Sequence, residues 1–336
     1  MIHFGRCVVL SFVCFLSANA QSDPATRVDA GLLQIDMYLS QTAQLFHIVD
    51  QVSEWSGFSH RQYVRYFRAN GGFSEDERKA LAEHASIRKK YGWGHGPEQA
   101  FYSPLTLEAA LTQAVEKGYL TESEASVERQ VFSTFRPRVE PLINDSLSAL
   151  HSFVTEISDR RLDLTVVANQ VAGFVGATPG RAISCYLIAD PDDANMGGGY
   201  NGGFLTLEIP RNRDAYPTFL HEMLHAFVDK QKPMLEGAVR QVSGLTVETL
   251  NEGLAYAFSP GIYHSGDGDP LRQQVSTYLA RGTSMNDSYA RFNLYALALR
   301  PLLRDALQRG ETLQAFLPRA LDAWRALTEI DQARPK

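Results

Sequence analysis

Two histidines stand four residues apart in the stretch FLHEMLHAFVDK, residues 219–230, and a glutamate follows the first of them. On a helix, residues four apart lie one turn apart on the same face, so the imidazoles of His221 and His225 can reach one metal ion. Glu222 then lies close enough to take a proton from a water molecule on that ion. The spacing H-E-x-x-H therefore predicts a zinc site with a carboxylate base, provided that the segment is helical.

The sequence around the motif has the pattern of an amphipathic helix over residues 214–229. Asp214 can cap its start, and Pro217 falls in the first turn, where proline is tolerated. Apolar residues at helical spacing predict one stripe that faces a core: Leu220, Met223, Leu224, Phe227 and Val228. The two histidines project from the flank of this stripe.

Catalytic zinc takes three protein ligands and keeps a fourth position for water, so a third ligand is expected from another element. The segment LTVETLNEGLAYAFSPG follows as a second helix and carries two acids one turn apart, Glu248 and Glu252. Gly253 and Ala255 keep that turn slim, so another helix can approach closely. The residues alone leave both acids open as the third ligand.

The two motifs HEMLH and NEGLAYAF together resemble those of the gluzincins, the thermolysin-like clan of zinc metallopeptidases. The resemblance covers residues 182–321. It implies that His221, His225 and Glu252 bind one catalytic Zn²⁺ and that Glu222 is the general base. It also implies that an edge strand, here residues 203–209, pairs with an extended peptide substrate.

The chain departs from the gluzincin pattern at one position. Some members carry an aspartate four residues after the ligand glutamate, where it orients a ligand histidine, and this chain has Tyr256 there. Metal-ligating histidines need such a partner on the second ring nitrogen. Asp229 and Asn251 are the candidates to replace it.

Gluzincins often supply an oxyanion donor, a tyrosine or a histidine, from a later helix. Residues 286–310 resemble the tyrosine-bearing helix of members with an E-G-L-A motif. We expect Tyr289 to be this donor, with Tyr295 and His264 as alternatives. A tyrosine that merely packs its ring is the competing interpretation of Tyr289.

The first twenty residues predict a cleavable signal peptide. A short segment with Arg6 precedes an apolar run, and Ala18-Asn19-Ala20 offers a cleavage site. A lipid anchor at Cys14 is less favoured, because the three residues before it are too bulky. Cleavage leaves Cys185 as the one cysteine, so we expect no internal disulfide and a buried, inert thiol.

The composition is that of a globular protein, with 44% hydrophobic residues and a net charge of −6. A mildly acidic chain without a basic block is a poor partner for nucleic acid or for an anionic membrane. We therefore expect a secreted or periplasmic protein that binds a peptide or protein substrate and, after signal cleavage, no membrane.

The residue patterns predict an α+β fold in two parts. Residues 21–160 read as a helical domain of unknown role, with its first helix in GLLQIDMYLSQTAQLFHIVDQVSEW. Residues 161–336 read as a zincin-like core with a small mixed sheet, an edge strand, the two motif helices and C-terminal helices. DLTVVANQV is predicted as a strand, and GGFLTLEIP alternates like a strand with one covered face.

These observations predict a zinc metallopeptidase in which Glu222 assists the attack of water on a peptide bond. One alternative is a non-catalytic, zinc-containing binding protein on a zincin scaffold. The other is a zinc hydrolase of non-peptide amides. The helical part is open to three interpretations, as a propeptide, a substrate-binding domain or a wall of the cleft, and Arg160-Arg161 is the one dibasic pair at its end.

Overall fold

The computed structural model describes residues 23–178, 180, 182–191, 197–264, 267–282 and 285–332. The predicted signal peptide and Cys14 lie outside these residues. Within them the chain has an α+β fold, as predicted, in which helices surround one small mixed sheet. No helix in these ranges combines the length and the apolar character that crossing a bilayer requires.

The sheet has five strands in the order β1-β2-β3-β5-β4. The strands are β1 (Thr26–Ala30), β2 (Leu33–Tyr38), β3 (Ile183–Ala189), β4 (Gly198–Tyr200) and β5 (Phe204–Ile209). The β1–β2 and β4–β5 pairs are antiparallel, and the β2–β3 and β3–β5 pairs are parallel. The sheet thus joins strands from the beginning of the chain to strands from its second half.

Helices cover both faces of the sheet. One layer contains α1 (Gln41–Val52), α2 (Arg61–Ala69), α3 (Glu75–Tyr91), α4 (Pro97–Phe101), α5 (Leu107–Glu116) and most of the long α6 (Glu122–Asp159). The other contains α7 (Arg161–Val175), α8 (Tyr216–Val228), α9 (Lys232–Val239), α10 (Val247–Phe258), α11 (Pro270–Ala280), α12 (Ser288–Arg309) and α13 (Leu313–Gln332). Successive strand residues point to opposite layers, so Tyr186 and Ile188 belong to the first core, and Cys185 and Leu187 to the second.

The predicted boundary near residue 160 falls between α6 and α7. Strands from both sides of it build the sheet, because β2 pairs with β3 over residues 35–38 and 183–186. The second core likewise mixes Leu33 and Ile35 with Leu205 and Leu207. The two parts of the chain therefore share one hydrophobic core.

Residues 33–38 form strand β2, and the prediction that they begin a helix is wrong. Leu33, Ile35 and Met37 are buried with a period of two, which suits a strand that packs one face on a core. The helix starts only at Gln41, where the Ser40 side chain accepts a hydrogen bond from the N–H of Ala43. Helical and alternating spacings overlap in this short stretch, which explains the error.

The segment DLTVVANQV lies inside helix α7, so its prediction as a strand is also wrong. Its buried residues follow the spacing of a helix: Leu164, Val167, Ala168 and Val171. β-Branched residues are tolerated there because α7 packs one full face on the second core. Tertiary packing has overridden local propensity.

Strand β5 confirms the predicted strand, but its surroundings differ from those predicted. All six of its residues are buried, since helices cover both faces. It is also an inner strand, because β3 and β4 pair with its two sides. The prediction that residues 203–209 form the edge strand is therefore wrong, and the edge is the short, glycine-rich β4.

Candidate metal centre

The H-E-x-x-H motif lies on helix α8, as predicted. The Asp214 carboxylate accepts a hydrogen bond of 2.8 Å from the N–H of Tyr216, and Pro217 occupies the first turn. His221, Glu222 and His225 are buried near the middle and end of this helix. The N-cap residue itself is Ala215, which has no side-chain cap bond, so Asp214 acts from the position before it. The apolar stripe sets which face meets the core.

The two histidines and Glu252 of α10 bring their ligand atoms together. The Nε2 atoms of His221 and His225 lie 3.2 Å apart. The Glu252 carboxylate places Oε2 3.3 Å from His221 Nε2 and Oε1 3.5 Å from His225 Nε2. Among the described residues, these three side chains form the one group of three or more that could hold a metal ion.

These separations suit a zinc ion. Tetrahedral ligands that each lie about 2.1 Å from zinc stand roughly 3.4 Å from one another. The measured separations of 3.2, 3.3 and 3.5 Å lie on both sides of this value. The donor set of two imidazoles and one carboxylate is also one that catalytic zinc takes, with a fourth position left for water.

The competing acid Glu248 lies one turn earlier on α10 and is exposed, outside the ligand group. The glycine beside Glu252 acts as predicted. A Cβ atom on Gly253 would lie 2.6 Å from the ring of Tyr295, so only glycine lets α12 pack this closely against α10. The slim turn at Gly253 therefore sets how closely α12 packs against α10, the helix that carries Glu252.

His221 is oriented by a backbone carbonyl, not by the predicted side chains. Its Nδ1 atom lies 3.3 Å from the carbonyl oxygen of Ser259, just after α10. The Ser259 hydroxyl donates to the carbonyl of Pro217 at 2.6 Å, so the same residue joins the end of α10 to the start of α8. Asp229 is exposed, and neither it nor Asn251 has a hydrogen bond to a ligand histidine among the described residues.

Tyr256 occupies the position where some gluzincins carry aspartate. Its ring packs edge-on against the imidazole of His221, with ring centroids 4.4 Å apart. Burial and the nearby Glu252 charge raise the pKa of Tyr256 well above its ordinary value. The tyrosine thus restrains His221 by contact, while Ser259 supplies the hydrogen bond.

Glu222 is buried beneath the edge strand β4. A Cβ atom on Gly198 would lie 2.8 Å from the Glu222 side chain, so glycine is needed for this close approach. The backbone N–H of Tyr200 lies close enough to the Glu222 carboxylate to favour its charged form. Burial, reinforced by the charge of Glu252, raises the pKa of Glu222 to about 7, while His225, His60 and the Tyr200 hydrogen bond oppose the increase.

The three candidates for an oxyanion donor have different surroundings. Tyr289, in the first turn of α12, is 43% exposed, and burial together with the Glu252 charge raises its pKa. Tyr295 is fully buried and donates its hydroxyl to the Ala320 carbonyl at 2.8 Å, which excludes it from the site. His264 is exposed. Tyr289 is therefore the one of the three that lies within reach of the charge on Glu252 and keeps access to solvent.

A second set of polar residues, missed by the sequence analysis, lies on the opposite face of the sheet. Glu208 of β5 is fully buried, and its Oε1 atom lies 2.8 Å from His47 Nε2 and 2.7 Å from His60 Nδ1. The side chain of Gln62 donates to Oε2 at 3.1 Å. His47 is buried, as predicted, and its other nitrogen lies 2.8 Å from the Tyr102 hydroxyl. No sequence motif predicts this cluster, because its members are far apart in the chain.

Cys185 is a free, buried thiol, as predicted. Burial raises its pKa, with a smaller contribution from the charge of Glu222. A thiol that resists ionisation is a poor nucleophile and a poor metal ligand. The residue contributes to the core and not to the chemistry of the site.

Comparisons of the chain with family models, curated proteins and solved structures found no match. The likeness of HEMLH and NEGLAYAF to the gluzincin motifs therefore remains a proposal that rests on these residues. The functional argument depends on the chain's own geometry.

Proposed function

We propose that this protein is a gluzincin-like zinc metallopeptidase that hydrolyses peptide bonds. The observation that carries the proposal is the convergence of His221, His225 and Glu252 around one point, with Glu222 buried beside them. The predicted signal peptide adds the proposal that the enzyme acts in a secreted or periplasmic location.

Zinc bound by the three ligands would supply Lewis-acid polarisation of a water molecule and of the substrate carbonyl. Glu222 accepts the proton that the water loses and delivers it to the leaving amine. The close approach of Gly198 in β4 confines the Glu222 side chain and keeps bulk water away from it. Ser259 holds the Nδ1 side of His221, so that Nε2 faces the other two ligands.

The substrate in this proposal is an extended peptide that pairs with the outer edge of β4. This strand is the last in the sheet, and its inner side pairs with β5 through residues 198–200 and 205–207. An unpaired strand edge offers main-chain hydrogen bonds to an added strand. Tyr289 is the proposed donor to the oxyanion that forms during attack.

The test is metal analysis of the purified protein combined with cleavage of a peptide library, with and without a chelator. Glu222→Gln is expected to keep stoichiometric zinc and to lower turnover by roughly 100- to 10,000-fold, because it removes the base alone. The zinc affinity of Glu252→Gln is expected to be more than about 100-fold lower than that of the wild type. Glu248→Gln, one turn away and exposed, is the matched control and keeps both zinc and activity.

Each alternative has its own result in this experiment. Normal turnover by Glu222→Gln would overturn the role of the base. Zinc retained without cleavage of any peptide favours the non-catalytic binding protein. Hydrolysis of simple amides, but not of peptides, favours the zinc amide hydrolase.

A further inference from the structure

His60 stands at the edge of the sheet and is anchored from the helical part of the chain. It is the N-cap residue of α2, and its backbone N–H donates to the Gln51 side chain at 2.7 Å. Its Nδ1 atom bonds Glu208 at 2.7 Å. The Glu208 carboxylate is fully buried, whereas the His60 side chain is 30% exposed. The imidazole is therefore fixed on one side and open to solvent on the other.

Gly198 of the edge strand and the preceding Gly197 bring His60 close to Glu222. A Cβ atom on Gly197 would lie 2.3 Å from His60 Cε1, and one on Gly198 would lie 2.8 Å from Glu222 Cγ. Adjacent Cα atoms are about 3.8 Å apart, so the two side chains lie within roughly 12 Å of each other. Successive residues of an extended strand point to opposite faces. His60 and Glu222 thus flank the edge strand from its two faces.

His60 uses only one of its two ring nitrogens within the part of the chain that the structure describes. Nδ1 is committed to Glu208, and Nε2 has no hydrogen-bond partner among the described residues. The Glu208 charge is the largest cause that raises the pKa of His60, and Asp190 and Glu222 add to it, while burial opposes them. Nδ1 donates to the Glu208 carboxylate, so Nε2 carries a proton in the charged state of His60, which the buried Glu208 charge favours.

We propose that His60 is a substrate-binding residue, whose Nε2–H donates a hydrogen bond to an oxygen of a peptide paired with the outer edge of β4. Such a peptide continues the plane of the sheet, so it passes between the face that carries Glu222 and the face that carries His60. The inference rests on the proposed peptidase function. It gives the helical part of the chain a permanent role as a wall of the cleft, since His60 belongs to α2 and its anchor belongs to β5.

The accepting oxygen is either a main-chain carbonyl or the terminal carboxylate of the peptide, and matched substrates separate the two. Each peptide that the wild-type protein cleaves is prepared with a free and with an amidated C terminus. If the His60 variant loses affinity for both forms, the oxygen that accepts from His60 is a main-chain carbonyl. Loss for the free acid alone assigns the carboxylate and predicts action near the C terminus.

The variant that isolates the outward donor is His60→Gln. Its amide can still donate to Glu208, as the neighbouring Gln62 does, but it has no second donor on the outer side. We expect KM to rise about 10-fold or more with little change in kcat, since a hydrogen bond to a bound peptide is lost. Zinc content should match that of the wild type, while the thermal midpoint should fall because the buried Glu208 loses a charged partner. His151→Ala, an exposed histidine of α6 that bonds the Leu147 carbonyl, is the control.

A second readout is independent of turnover. In the Glu222→Gln background, calorimetry with one of these peptides measures binding alone, and adding His60→Gln should weaken it about 10-fold. Equal affinity with and without His60, or a kcat loss at unchanged KM, would overturn the assignment. His60-dependent binding of library peptides that the wild-type protein does not cleave would remove the peptidase function and keep the binding role.

Discussion

The metal cluster on α8 and α10 and a buried network beneath α3 are built from the same residue types, but their atoms point differently. In the metal cluster, His221 Nε2, His225 Nε2 and the Glu252 carboxylate face one another. In the network, His84 directs Nδ1 to Glu128 at 2.8 Å and Nε2 to Asp50 at 3.2 Å. Both nitrogens of His84 are therefore used by separate partners on opposite sides of the ring.

The difference in orientation separates a metal site from a structural network. Arg88 completes the network: it bonds Asp50 at 2.6 Å and also pairs with Glu98, and its guanidinium lies 4.3 Å from the Trp55 ring centroid. Each buried carboxylate thus has a cationic or imidazole partner, and no three donors converge. Within the described part of the chain Glu252 pairs with the two histidines and with no Lys or Arg, so the proposed divalent ion would supply its counter-charge.

The largest expected effect comes from removing the cation of the network. Arg88→Met leaves Asp50 and Glu98 buried without their main counter-charge, and we expect unfolding by urea to show a loss of about 3–5 kcal/mol. Arg129→Met, which breaks an exposed pair with Glu108, is the control and should change stability little. Zinc affinity of the folded protein should be the same in both variants. An Arg88→Met protein as stable as the wild type would contradict the network's structural role.

The second prediction is that rising pH lowers the stability that the His84 network contributes and raises the zinc affinity of the metal cluster. Burial disfavours a charge on His84, but Glu128 and Asp50 outweigh it and raise its pKa to about 9 from 6.5. Since the folded-state pKa is the higher one, this stabilisation is complete below about pH 6.5 and is lost as pH rises through 9, by about 3 kcal/mol. Zinc affinity should instead fall on acidification, because ligands must be deprotonated to bind.

Urea unfolding measured from pH 6 to pH 10, with and without a chelator, checks this pair of trends. In the chelated protein, His84→Gln should flatten the decline between pH 6.5 and 9, because the titrating group is gone. A wild-type stability that rises over this interval would show that the network does not hold a charged His84.

The same contrast explains how much of the molecule could be predicted from its sequence. His221 and His225 could be chosen in advance because they lie one helical turn apart. Glu252 could be chosen over Glu248 only from the resemblance of NEGLAYAF to the gluzincin motif. The His60–Glu208 contact joins residues 148 positions apart and has no local signature. It arises only when the parallel pairs β2–β3 and β3–β5 place β5 beneath α1 and α2.

The edge of the sheet was missed for a related reason. Strand β4 has three residues, two of them glycine, which is too short and too poor in side chains for an alternating pattern. Gly198 of β4 and the preceding Gly197 are set by close approach, since they meet side chains from two different faces of the sheet. The sequence therefore shows a run of glycines, but it does not show that His60 and Glu222 pack against them.

The smallest predicted effect tests whether the metal cluster depends on how closely α12 packs against α10. Gly253→Ala places a methyl group 2.6 Å from the buried Tyr295 ring, which costs about 1–3 kcal/mol, while the alanine gains about 1 kcal/mol in helix propensity. We expect a net loss of about 1 kcal/mol in urea unfolding. Because α10 must shift to admit the methyl group, Glu252 moves with it, and zinc affinity should fall several-fold.

Gly237→Ala on α9 is the matched control, because a Cβ atom there meets nothing within 4 Å. This variant gains the same helix propensity without a clash, so it should be slightly stabilised and should bind zinc normally. If Gly253→Ala is less stable than the wild type and Gly237→Ala is more stable, the loss is due to the contact with Tyr295. If both variants are equally stabilised, α10 and α12 can move apart at little cost. Glu252 is then positioned by His221 and His225 on α8, and not by the packing of α12 against α10.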